Sequence, residues 1–455
     1  MMEKLEVYNS YYMPSFFRIK VGTYDDFTDM LSIPFGAYSL FFHEYIHYIQ
    51  DITTIYGLMN LDIIAYYIQD VASRIGKEKN MEFKIPQDLE PREDYGVSNF
   101  LLKKIYMGTP INPKHKNIRI DSYKKRLYED KDKKISIYII EVIYTDTTTN
   151  ITSSFELGGN HICEGMAYLC ESYVYKPLFE NNGYTFHQAD DYPYNVCKLL
   201  TEQIYPEFAK TDDVLLVAVC DISLMTYHPG LSFIRLMEYL RKIDFLSTSY
   251  PKITDAVEEL YKKGTTFLKG GHTDFTTIQN MVKEHIHKYF KCDEFIGNNR
   301  WIDTIFERAN ILRINIPQFI TDILIFGKGK DVRQNQFFYQ VLGLLGTPLV
   351  INEENHGSIS LPIHFADKTF MPGLFWAINQ ILKIFSDKNA VPCELKAHCK
   401  QSSAFDPEIK VDERCDVSPW NRCNDERLCP FAVMWKHWNL RNHIPVKENN
   451  SPVNI

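Results

Sequence analysis

The chain has 455 residues, of which 45% are hydrophobic and 24% charged, and its net charge is -8. That mix suits a globular protein with a sizeable core and excludes disorder over most of the length. The acidic balance argues against a dedicated nucleic-acid binder, which needs a basic face for phosphates.

From the N-terminus, residues 1–10 lack a basic cluster followed by an apolar stretch, so no secretory signal is expected. Ala37–Tyr56 is a long apolar and aromatic run that reads as a helix stopped by Gly57. Leu61–Ile75 repeats apolar residues at helical spacing and stops at Gly76. Residues 77–95 read as a surface connection, and the mixed-charge stretch Lys114–Lys134 as a solvated excursion. Ile135–Tyr144 and Thr148–Leu157 are rich in β-branched residues and Tyr, which predicts a β-hairpin. A helix then begins near Asn160. Further helices are expected at Val196–Ile204, Asp212–Tyr227, Leu231–Phe245, Asp255–Leu268 and Thr276–Phe290. The conspicuous apolar run Val214–Cys220 stops at Asp221, far short of the roughly 20 residues of a membrane-spanning helix. Gly327–Lys330 is the best hinge. Beyond it the pattern gives a helix at Asn335–Leu345, short strands at Leu349–Ile351 and Ser358–Leu361, and a helix at Leu374–Phe385. The expectation is a mainly α (α+β) protein: a helical domain over residues 1–326 with a small β element, and a Cys-rich C-terminal domain over 331–455. It is expected in the cytoplasm, with no membrane and no nucleic acid as partner.

The sharpest motif is His43-Glu44-Tyr45-Ile46-His47. A helix turns about 100° per residue, so residues four apart share a face. His43 and His47 can hold one metal ion, and Glu44 can reach a water beside it as general base and then acid. Two imidazoles with an open position suit Zn²⁺. Gln50 and Asp51, one turn on, are candidates to orient a ligating imidazole.

A third ligand is required. The Gly and His that complete a three-His site are replaced by Gln50 and Thr53. The better segment is His161–Glu171, in which Glu164 and Glu171 share a face and Gly165 and Ala167 would let the helix approach the His pair closely. His161 is a weaker candidate.

Glu164-Gly165-Met166-Ala167-Tyr168-Leu169-Cys170-Glu171, downstream of His43–His47, resembles the gluzincin pattern, especially that of aminopeptidase N-like enzymes. The resemblance covers the two zinc-site helices. It implies that Glu164 is the third zinc ligand, with Glu171 in a supporting place. The chain departs from that family in a far longer connection between the motifs and in lacking the substrate-amine motif, so aminopeptidase activity is not implied.

A hydrolase also needs a donor for the oxyanion. Tyr227 and His228, before the turn at Pro229-Gly230, are the candidates, with Tyr173 and Tyr175 as alternatives. The strand Thr148–Leu157 leads into the ligand helix and is placed to pair with an extended peptide.

Five of the 10 Cys fall in residues 393–429: Cys393, Cys399, Cys415, Cys423 and Cys429, the last followed by Pro430. Such clustering is expected of shared ligation, by a structural Zn²⁺ or an iron–sulfur cluster. Independent buried thiols and disulfides are the competing readings. Together these features predict a zinc metallopeptidase of narrow specificity acting on a protein or peptide. The alternative is a non-catalytic zinc-containing binding or regulatory protein.

Overall fold

The computed structural model describes residues 5–7, 10–77, 81–87, 94–269, 272–387, 392–402 and 409–447. Three short strands come first: β1 (Leu5–Val7), β2 (Ser10–Met13) and β3 (Arg18–Lys20). The apolar run that reads as one helix to Tyr56 divides at Thr54, into α1 (Phe35–Thr53) and α2 (Ile55–Gly76). Thr54 is extended. Its hydroxyl donates to the Gln50 carbonyl at 2.7 Å and accepts the Gly57 N–H at 3.0 Å. One side chain thus closes α1 and caps α2. Gly57 is not a stop. It lies in the first turn of α2, where a Cβ would run into the backbone of Gln50 and Asp51, so it permits the sharp corner between the helices.

Strand β4 (Glu82–Ile85) lies within the stretch read as a surface connection, and helix α3 (Asp94–Met107) begins at its end. The mixed-charge segment expected as a solvated excursion is largely strand β5 (Ile118–Asp130). It pairs antiparallel with β6 (Ile135–Asp146), which pairs with β7 (Ile151–Leu157). Beyond Ile120 no β5 side chain is buried, so no apolar alternation marks it; hydrogen bonds to β6 hold it.

Helix α4 (Gly159–Asn181) starts where the hairpin ends. Then come α5 (Val196–Ile204), α6 (Asp213–Leu224), α7 (Pro229–Lys242), α8 (Ile253–Leu268), α9 (His272–Tyr289), α10 (Ile296–Asn315), α11 (Phe319–Gly327) and α12 (Gln336–Leu345). The last elements are β8 (Leu349–Ile351), β9 (Gly357–Ser358), α13 (Gly373–Ser386), α14 (Lys396–Ser402), α15 (Arg414–Val417), α16 (Pro430–His437) and β10 (Ile444–Lys447). The fold is mainly helical, with small sheets. Among the described residues no helix is long and apolar enough to cross a membrane.

Two parallel pairings cross the boundary expected at residues 327–330. β8 lies beside β3 in a sheet of order β1-β2-β3-β8-β9, and β10 lies beside β4. Aromatic packing crosses it as well: Phe17 meets Phe375 edge to face, and Phe83 packs on Phe385 and Trp435. The last third of the described chain shares its core with the first.

Candidate metal centre

Helix α1 packs against α2, α4, α10 and β2, and is buried along most of its length. This is why a helix with two His and a Glu in its middle can stay dry. His43 and His47 lie one turn apart with ring centroids separated by 5.0 Å. Across from them, α4 presents Glu164. Glu164 Oε2 is 3.6 Å from His43 Nε2 and 3.5 Å from His47 Nε2. Among the described residues, these three alone bring three ligand atoms within 4.8 Å of one another.

The outer nitrogens of both rings are held. His43 Nδ1 meets Glu171 Oε2 at 3.1 Å. His47 Nδ1 meets Gln50 Oε1 at 2.8 Å, while Gln50 Nε2 donates to the Cys163 carbonyl at 3.1 Å. Because the Gln50 nitrogen is committed to a carbonyl, its oxygen must accept, so His47 Nδ1 carries a proton. The Glu171 carboxylate demands the same of His43. Both Nε2 atoms therefore face Glu164. Both Nε2 atoms, both Glu164 oxygens and both Glu44 oxygens are buried without a hydrogen-bond partner. Stranded buried acceptors on this scale are costly. A divalent cation answers the two Nε2 atoms and Glu164, and the His₂Glu donor set fits Zn²⁺.

The electrostatics agree. Burial alone would push His43 down, but Glu164 and Glu171 outweigh it and hold the imidazole up at about 10. Burial pushes Glu164 up, but the two facing imidazoles outweigh that and hold it at about 2. Two carboxylates thus draw a positive charge to this point, and a cation would displace the proton that otherwise supplies it. Burial drives the Glu44 carboxyl well above its usual range, against the pull of His43. A cation nearby would draw it back toward the ionised form.

Of the two orienting candidates, Gln50 touches a ligand and Asp51 does not. Asp51 accepts the Tyr12 hydroxyl and the Ser15 N–H, both at 2.9 Å, which ties the β2–β3 turn to α1. His161 is not a ligand. Its Nδ1 accepts the Gly158 N–H at 3.3 Å and its Nε2 meets the Tyr192 hydroxyl at 3.1 Å. Gly165 faces away from the His pair, because a Cβ there would press on Cys197 at 3.0 Å; it lets α4 approach α5. His228 is committed elsewhere, with Nε2 on the Tyr138 carbonyl at 2.8 Å and Nδ1 capping the Leu231 N–H at 3.4 Å. Tyr227 is 48% exposed. Neither of these two oxyanion candidates contacts the centre. Two residues missed in the sequence do. The Tyr194 ring stands edge-on to His43 at 6.3 Å, and His187 Nε2 lies 3.5 Å from Glu171 Oε2. Both come from an irregular stretch after α4 with no periodicity to mark it. Edge strand β7 ends against Thr109, which bonds both the Glu156 carbonyl and N–H. Residues 151–155 keep an outer edge with no strand beside it among the described residues.

Comparison with protein-family models, curated proteins and solved structures finds no match to this chain.

Gln50→Ala and Glu171→Gln are expected to keep the fold and weaken metal binding by about 10–100-fold each, the first because it removes the acceptor that orients His47 and the second because it removes the charge that raises the basicity of His43. Competition with a chelator measures it.

Proposed function

We propose that this chain is a zinc-dependent metallohydrolase, and specifically a peptidase of narrow range. The observation that carries the reading is the convergence of the His43, His47 and Glu164 ligand atoms, all without hydrogen-bond partners, with the Glu44 carboxylate on the adjoining residue. Zinc held there would polarise a substrate carbonyl and make water acidic enough to attack near neutral pH. Glu44 takes the proton of the attacking water and hands it to the leaving amine. Glu171 and Gln50 fix the imidazoles, and the Tyr194 ring stands edge-on to His43 while its hydroxyl accepts from Lys114 Nζ at 2.8 Å, a pair that could face the developing oxyanion. The free edge of β7 offers an extended peptide a strand to pair with. The likeness to the gluzincin motifs supports Glu164 as ligand and Glu44 as base.

One observation favours a second reading, a non-catalytic binding or regulatory protein. His43, Glu44, Glu164 and Glu171 have no exposed surface and His47 has 2%. A catalytic centre this closed must open to admit substrate, whereas a structural zinc site need not.

The metal is tested first. Protein purified without added zinc should carry zinc at this centre, and His43→Ala, His47→Ala and Glu164→Ala should each remove most of it. Full zinc retention by Glu164→Ala would place the third ligand elsewhere.

A further inference from the structure

Residues 392–447 hold half of the chain's 10 Cys on short elements: α14 has 7 residues, α15 has 4 and α16 has 8. All five thiols are buried. They are not five independent groups. Cys393, Cys399, Cys415 and Cys429 form a closed set, in which each sulfur is near enough to the other three for their charges to interact. The Cys393 N–H donates to the Cys415 carbonyl at 2.8 Å, which fixes two of the chain segments side by side. Cys423 stands apart. Its thiol donates to the Ala432 carbonyl at 3.5 Å, and Cys429 is the one thiol of the set that it senses.

Donors reach the sulfurs, although the Arg422 guanidinium among them is shared with the Asp412 and Asp425 carboxylates at 3.3 and 3.0 Å. Arg422, 1% exposed, reaches Cys415 Sγ with Nη1 at 3.5 Å and acts on Cys429 as well. Backbone N–H groups of Phe431 and Ala432 are directed at Cys429, and that of Leu395 at Cys393. Burial holds the Cys393, Cys399 and Cys429 thiols above their ordinary range, and the donors only partly oppose it, so these thiols stay protonated until a cation takes them. Four neutral thiols would gain little from the donors, and four bare thiolates would repel one another. A bound cationic group resolves both.

The spread of the sulfurs indicates which group. Among the described residues no three of them lie within 4.8 Å of one another. A single zinc holds each thiolate at about 2.3 Å and would draw all four inside that limit. An iron–sulfur cluster distributes four thiolates over several irons and keeps them further apart, and donors to the sulfurs are what tune it. The last ligand stands directly before Pro430, as at the end of some cluster-binding runs, although the short two-residue spacings of those runs are absent here.

We propose that Cys393, Cys399, Cys415 and Cys429 ligate an iron–sulfur cluster that fastens the C-terminal segment onto α13 and α16. Each thiol gives up its proton to solvent on ligation, and iron and sulfide enter as the cluster. No electron transfer is required for this role. Cys393 lines one surface pocket and Cys399 another, so the cluster lies within reach of oxygen. The inference is independent of the zinc reading.

The test is anaerobic purification of the full chain from iron-replete cells. The expected product is brown, absorbs in the visible by sulfur-to-iron charge transfer, and holds iron and acid-labile sulfide in equal amounts. Cys393→Ser, Cys399→Ser, Cys415→Ser and Cys429→Ser should each lower both several-fold. Cys423→Ser and His43→Ala should keep wild-type content. Where a Cys variant does not fold, the wild type decides alone: iron and sulfide added under reducing conditions must restore the absorption, and the reduced protein must give a cluster signal by electron paramagnetic resonance. A colourless protein whose zinc depends on the same four Cys would overturn the proposal in favour of a zinc site. Colourless protein with no metal dependent on these Cys, or cluster loss in Cys423→Ser equal to that in the other four, would overturn it outright.

Discussion

Glu44→Gln is expected to abolish turnover while leaving zinc content and melting temperature close to wild type. Glu44 accepts no hydrogen bond from His43, His47 or Glu164, and the backbone of Tyr12 that faces its carboxylate keeps an oxygen acceptor in Gln. Gln has the same shape and carries no charge, so the burial that penalises the carboxylate falls away. The variant loses the proton acceptor alone. General-base catalysis is worth about 10²–10⁴-fold, and loss of the group that orients the attacking water adds to it. Zinc analysis and thermal unfolding of the two proteins side by side check the first half of this expectation.

The second large effect lies at the far end of α1. Arg313 is 1% exposed and grips the Asp221 carboxylate with two nitrogens at 2.7 and 2.8 Å. The same guanidinium donates to the Thr53 carbonyl at 2.7 Å and to its hydroxyl at 2.9 Å. Thr53 closes α1, whose last carbonyls have no partner within the helix. Tyr261 completes the group with a 2.6 Å hydrogen bond to Asp221. This pair therefore anchors the helix that carries His43 and His47. Asp221→Ala leaves a buried, unbalanced guanidinium and should cost about 3–5 kcal/mol, read as a lower denaturant midpoint. The double variant Asp221→Leu with Arg313→Met should cost far less, because no charge is stranded. A loss in the double variant equal to that in Asp221→Ala would assign the effect to packing instead.

The residues of the centre were largely legible because their chemistry is local. His43, Glu44 and His47 sit within five residues of one helix, and Glu164 and Glu171 share one face of another. Gln50 and Asp51 were equally plausible as partners of His47. Their separate roles depend on the Cys163 carbonyl and on Tyr12, which are distant in sequence. Tyr194 and His187 could not be read at all, since an irregular segment brings them in. The break at Thr54 was hidden because the apolar pattern runs through it unbroken; the signal was a threonine able to bond both ways. Strand β5 was missed because its stability comes from backbone pairing, and its mixed charge looks the same in a strand or a loop. Strand pairing across residues 327–330 was not legible for a related reason. A glycine and lysine run marks a turn, and strand pairing decides whether the chain returns to the same core. His228 shows the limit of reading a turn as a cleft: the Pro229-Gly230 corner is there, but its histidine caps a helix.

Peptide-bond cleavage by Glu44 with a metal ion held by His43, His47 and Glu164 is the proposed activity. The most direct measurement expresses wild type and Glu44→Gln in the same cells and compares protein N-termini by mass spectrometry. Termini that appear with wild type and vanish with Glu44→Gln are the predicted result, and they name the target. Identical termini in both, while both proteins carry zinc and capture the same partner, would contradict peptidase action and leave the binding-protein reading in its place.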